Sequence, residues 1–183
     1  MLKRIIQTIY FLIAAPQKGW RRVLTQRNTP QEFMNDFLFP IFGLIALTTF
    51  IGSMWAVSSG NIQYALKKVM VVATALFSGF YLASYAVDKL YLRYEQMKDS
   101  PLIQQFVGYA SSVIYLLFLV MPLLPGFEIL WLFILYTFYL VYSGVTIFLN
   151  IPEKEKTVFT LSSFVVITFI PVLLNFLLSF VVM

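Results

Sequence analysis

Few groups in this sequence are able to do chemistry: Asp36, Asp88 and Glu128 stand at the edges of long apolar runs, and serine pairs occur at Ser111-Ser112 and Ser162-Ser163. Intramembrane proteolysis would need paired aspartates within the apolar runs, a serine with a base to activate it, or a metal held by histidines. Lipid chemistry would need the three carboxylates to converge beside headgroups. Histidine and cysteine are both absent, which removes the commonest general base, the commonest zinc ligands and any disulfide framework. The eight glycines are scattered singly and form no phosphate-cradling loop. No enzymatic activity, cofactor or metal is therefore expected, and the serines read as helix-packing hydroxyls.

The elements that would position these groups follow from the solvent the chain demands. With 60% hydrophobic residues, 11% charged and a mean hydropathy of +0.84, the chain carries more apolar surface than a soluble fold of this size hides. A helix crosses a bilayer in about 20 residues, and five stretches without formal charge meet or approach that length: 37–57, 69–87, 107–124, 129–149 and 158–182. The expected fold is all-α and polytopic, a five-helix transmembrane domain over 36–183. No ionisable residue lies inside any of the five runs, so a charge relay across the membrane has no candidates. Asp88 and Glu128 fall at run ends, where water or headgroups solvate them.

Residues 1–35 form a separate basic, amphipathic and interfacial segment. Leu2, Ile5, Ile6, Ile9 and Ile13 recur at helical spacing, with Lys3, Arg4 and Gln7 elsewhere around the helix. Ala14-Ala15 imitates a signal-peptide cleavage site, but Pro16 is a poor residue to follow one. In the next piece Trp20, Val23 and Leu24 share one face while Lys18, Arg21 and Arg22 occupy the other, as in a helix lying on anionic lipid. The same charges also serve topology alone. Eleven of the thirteen basic residues fall before span one, between spans two and three, or between spans four and five; only Lys67 and Lys68 fall on the opposite side. That asymmetry predicts a cytoplasmic N-terminus and a C-terminus across the membrane.

Local signals place the helix starts. Thr29-Pro30-Gln31-Glu32 has the form of a capping box with proline at the first helical position, so a helix starts near Pro30 and runs through Asp36 into span one. Ser100-Pro101 marks the start of the helix entering span three. The segments 88–98 and Glu153-Lys154-Glu155-Lys156 read as solvated helix extensions. Small residues four apart at Ala75-Gly79-Ala83, Gly52-Ala56 and Gly108-Ser112 let helices approach closely. Pro40, Pro122, Pro125 and Pro171 predict kinks, and Asn175 is expected to find an interhelical partner.

Four short motifs carry a family resemblance. Asp36-Phe37-Leu38-Phe39-Pro40 resembles an Asp-Leu-Tyr/Trp-Gly-Pro motif, keeping the aspartate and proline without the aromatic-glycine pair. Gly108-Tyr109 matches a Gly-Tyr motif, Pro122-Leu123-Leu124-Pro125-Gly126 echoes a proline-rich exit from span three, and Ala15-Pro16-Gln17-Lys18-Gly19-Trp20 looks like a proline-then-tryptophan opening. Together they resemble the Ypt-interacting-protein (YIP) domain family of five-span membrane proteins. In eukaryotic members the resemblance implies association with Rab-type GTPases and vesicle traffic through a cytosolic N-terminal region, where this chain has about 35 residues before span one. Its compact form resembles prokaryotic members, which would place it in an inner or plasma membrane. The expected function is a membrane scaffold or adaptor with Asp36, Pro40, Gly108 and Tyr109 as its motif residues; the alternative is a small transporter or channel subunit. Expected partners are membrane lipids and other membrane proteins or a second copy of the chain, with no nucleic acid.

Overall fold

The computed structural model describes residues 2–26, 28–56, 61–93, 100–149 and 151–182. Among these residues there is no strand. Two short helices, α1 (Leu2–Ala14) and α2 (Pro16–Gln26), precede α3 (Pro30–Trp55), α4 (Ile62–Tyr91), α5 (Ser100–Ala110), α6 (Ser112–Leu123), α7 (Glu128–Leu149) and α8 (Glu153–Val182). The helices α3, α4, α7 and α8 are each long and apolar enough to cross a bilayer; α5 and α6, bent by 43° at their junction, meet that test only as a pair, which brings the candidate spans to four or five. The described residues of the five expected runs lie on these elements, except Ser111 between α5 and α6 and Leu124 in the turn after α6; Val57, Arg27, Lys98 and Met183 fall outside the described residues.

The start of α3 is built as its sequence predicts. Thr29 Oγ1 accepts the Glu32 amide at 3.2 Å, and Glu32 Oε2 accepts the Thr29 amide at 2.8 Å, which satisfies two of the donors a helix start leaves open. Pro40 brings a less expected feature. It has no N–H and its ring crowds the carbonyl four residues back, and the turn before it, Met34–Leu38, widens to a π-helix in which the Phe39 amide reaches Met34 O. The helix thus passes the proline without ending.

Span three bends where no proline stands. Ser111 Oγ donates to Val107 O at 2.8 Å and Ser112 Oγ to Tyr109 O at 2.6 Å, and hydroxyls bonding back to the preceding turn are a known cause of helix bending. Pro171 lies inside α8, which continues from Glu153 to Val182. The exit from span three tightens to a 3₁₀ turn at Met121–Leu123 and turns back at Gly126, whose φ of 92° is the left-handed conformation that glycine adopts freely.

Ring contacts define how the spans run. Phe37 meets Tyr109 at 4.7 Å and Phe42 meets Tyr115 at 5.2 Å between centroids, so α3 is parallel to span three. Tyr91 lies 6.3 Å from Phe159 while Gly79 abuts Pro171, so α4 and α8 are antiparallel. A Cβ on Gly79 would come within 2.9 Å of the Pro171 backbone, which is the close helix approach that the Ala75-Gly79-Ala83 spacing predicts. Asp36, Asp88 and Tyr109 therefore share one end of the bundle, called the near end here, and Lys68, Pro122 and Glu128 share the far end.

The two N-terminal helices form a hairpin docked against the spans. Their amphipathic character is as expected, but the apolar faces are buried in protein. Leu12, Trp20 and Val23 lie in the same core as Phe106, Leu140 and Phe148, while Ile6 and Leu24 face outward. Gly19 permits the closure, since a Cβ there would stand 2.8 Å from the Leu12 backbone. Tyr136 Oη donates to Ile13 O at 2.7 Å, which ties the hairpin tip to α7. Lys156, expected to be solvated, is instead buried, with its Nζ 3.0 Å from Glu153 Oε1 and 4.4 Å above the Tyr142 ring.

Candidate functional site

At the near end the hairpin, the α2–α3 connection and span three surround a cleft of about 130 Å³, lined by Ile5, Thr8, Gln26, Asn28, Asp36, Phe37 and Tyr109. Two of the four motif residues meet there. The π-turn that accommodates Pro40 carries Asp36 and Phe37, setting the carboxylate at the cleft and the ring against Tyr109. Pro40 itself lies outside the lining and acts through the backbone.

Gly108 also acts indirectly. The Phe33 ring rests directly on its Cα, in the place a side chain would occupy. This seat lets Phe33 pack edge-on against Tyr109, with centroids 5.0 Å apart. Tyr109 is thus held by Phe33, Phe37 and, edge-on at 6.4 Å, Trp20, with its hydroxyl at the cleft. Asn28 Nδ2 donates to Tyr109 Oη at 3.2 Å, and Gln105 Nε2 donates to the Asn28 carbonyl at 2.9 Å. These bonds fix the residue at which the chain leaves α2 and turns into the capping box.

Trp20 anchors the hairpin behind this cleft. It is fully buried, stacks on Phe106 at 5.5 Å, lies 5.4 Å from Phe148, and donates from Nε1 to Leu140 O at 3.0 Å. Gly144 makes the space, because a Cβ there would stand 2.6 Å from the indole. Lys18 and Arg21 are exposed on the opposite face of α2, and Arg22 lies 4.9 Å over the Phe11 ring. None of the three lines the cleft.

The sequence pointed to Asp36 and Tyr109 but passed over Thr8 and Gln26, which the docked hairpin brings near them, over Asn28 in the α2–α3 connection, and over Gln105, one turn before Tyr109 on α5. A signal was present at Asn28, a polar residue directly before the capping box. Chemically the cleft offers one carboxylate, amides that donate and accept, and hydroxyls. No cluster of metal-ligating side chains occurs among the described residues, and the groups at the cleft are equipped for hydrogen bonding to a polar or basic group.

Apolar helices long enough to span a bilayer, packed into one bundle around a shared apolar core, define a multi-pass integral membrane protein. The Yip1 domain model matches residues 10–175, nearly the whole chain, and the chain belongs to that family. No curated protein and no solved structure matches it.

Proposed function

We propose that the chain is a non-enzymatic membrane adaptor of the Yip1-domain type, which holds other membrane proteins at the cleft between its N-terminal hairpin and its spans. One observation carries the reading. The interior between the spans is filled by large apolar side chains, among them Phe33, Phe106, Ile114 and Phe159, while the hydrogen-bonding groups of the motif open at one end of the bundle. A scaffold has this distribution, whereas a transporter carries a polar, water-accessible cavity to the midplane. The basic residues clustered on the near end favour a cytoplasmic cleft, and membrane traffic is the setting that the family resemblance implies.

The test is affinity capture from mild detergent, with co-purifying proteins and lipids identified by mass spectrometry. Wild type should retain a stoichiometric protein partner that Asp36→Ala and Gly108→Leu lose. Recovery of a single small molecule with no protein partner would contradict the adaptor reading.

A small transporter or channel subunit is the second reading, and the buried hydroxyls of Ser84, Thr137, Thr160 and Ser163 favour it, since none has a hydrogen-bond partner among the described residues. Solute flux in proteoliposomes that depends on these hydroxyls would select it over the adaptor.

A further inference from the structure

At the far end, remote from the cleft, a second polar cavity of about 400 Å³ opens beside the elbow between α6 and α7. Its lining includes Ser53, Lys68, Met121, Gly126, Glu128 and Trp131, and its volume falls in the ordinary range of ligand sites, roughly 300–1,000 Å³. Lys68 and Glu128 give it one cation and one anion. Ser53 is 2% exposed, and its Oγ has no hydrogen-bond partner among the described residues. A buried hydroxyl without a partner costs stability unless something outside the fold satisfies it. The surrounding backbone leaves the space: Gly52 packs against the Pro122 carbonyl, and Gly126 takes its left-handed turn at the rim.

The same elbow also borders an apolar groove of about 400 Å³, lined by Ile13, Val113, Leu116, Leu117, Val120, Leu130, Phe133 and Tyr136. The two cavities are contiguous in the chain, since Val120 and Leu130 face the groove while their neighbours Met121 and Trp131 face the polar cavity. Along α6 the groove runs from Val113 to Val120, about 10 Å at 1.5 Å per residue, and it leads from the far end toward the middle of the bundle. Its inner end is closed by Ile13, held there by the Tyr136 hydroxyl.

We propose that these two cavities together form a binding site for a zwitterionic phospholipid of the leaflet opposite the N-terminal hairpin. The phosphate sits at Lys68 and Ser53, the ammonium of the headgroup at Glu128, and one acyl chain in the groove between α6 and α7. Opposite charges in one cavity fit a headgroup that carries both signs, and a dry groove continuing from it suits an acyl chain where no partner helix covers the surface. This site is separate from the adaptor cleft, and neither proposal depends on the other.

Native mass spectrometry of the full chain, exchanged into mixed vesicles of phosphatidylethanolamine, phosphatidylglycerol and phosphatidylcholine, tests the assignment. Wild type should retain one phosphatidylethanolamine or phosphatidylcholine in preference to the anionic phosphatidylglycerol. Lys68→Gln should lower that retention about tenfold, the size of a lost charge-assisted contact. Val120→Trp, which fills the groove and leaves the polar cavity untouched, should lower it as well while thermal stability stays at the wild-type level. Equal retention of all three lipids would overturn the proposal, as would wild-type retention by Lys68→Gln. Displacement of the lipid by soluble phosphoethanolamine at equal concentration would also overturn it, because it would show a headgroup site that makes no use of the groove.

Discussion

The indole Nε1 of Trp20 donates a 3.0 Å hydrogen bond to the carbonyl oxygen of Leu140, across 120 residues of sequence. This bond is where an amphipathic N-terminal helix becomes part of a transmembrane bundle. The ring fills a space left open by Gly144, and the near-end cleft is bounded by the hairpin it anchors.

Trp20→Ala should therefore cost about 3 to 5 kcal/mol, as for a fully buried aromatic side chain. Trp20→Phe keeps most of the packing and loses the hydrogen bond, so its cost should be nearer 1 kcal/mol. Denaturant titration in detergent micelles measures both; equal stability of the two variants would contradict the role given to the ring.

Gly108→Leu forces a side chain into the volume occupied by the Phe33 ring, and overpacking of this kind costs about 1 to 3 kcal/mol. Because the conflict is with one ring, Phe33→Ala in the same chain should relieve part of it. The coupling is read from a double-mutant cycle, and strictly additive losses would show that Gly108 matters for another reason.

Replacing Ser111 and Ser112 together with alanine removes both hydroxyl bonds to the preceding turn. The 43° bend of span three should then decrease. The chain has no cysteine, so spin labels on cysteines introduced at positions 102 and 119 report that change as a longer distance by pulsed electron resonance.

The same absence of cysteine makes orientation directly testable. Lys154→Cys should react with a membrane-impermeant thiol reagent only from the cytoplasmic side, and Lys67→Cys only from the opposite side. The reverse pattern would contradict the orientation inferred from basic-residue asymmetry.

How much of this was legible in the sequence depended on the range of the interaction. The Thr29–Glu32 capping box and the long apolar helices were readable because each is encoded within one turn or one run of residues. The destination of Trp20 was not, because an amphipathic face has the same pattern whether it meets lipid or protein. The bend at Ser111 was hidden for a different reason: serine bends a helix only when its hydroxyl turns back on the backbone. Asp36 and Tyr109 were named from their motifs, yet Thr8 joins them through the docked hairpin and Asn28 through the α2–α3 connection. Asn175, a polar group in the last span expected to bond across helices, leaves its Oδ1 without a partner among the described residues.

The adaptor reading is tested most directly by a photo-reactive amino acid placed at position 28, beside the Tyr109 hydroxyl, and, as a control, at position 85, where Tyr85 is exposed on the outer face of α4. Irradiation of living cells should give a discrete protein adduct from position 28 that disappears in the Asp36→Ala background and is absent from position 85. Identical adducts from both positions, or lipid adducts alone from position 28, would contradict it.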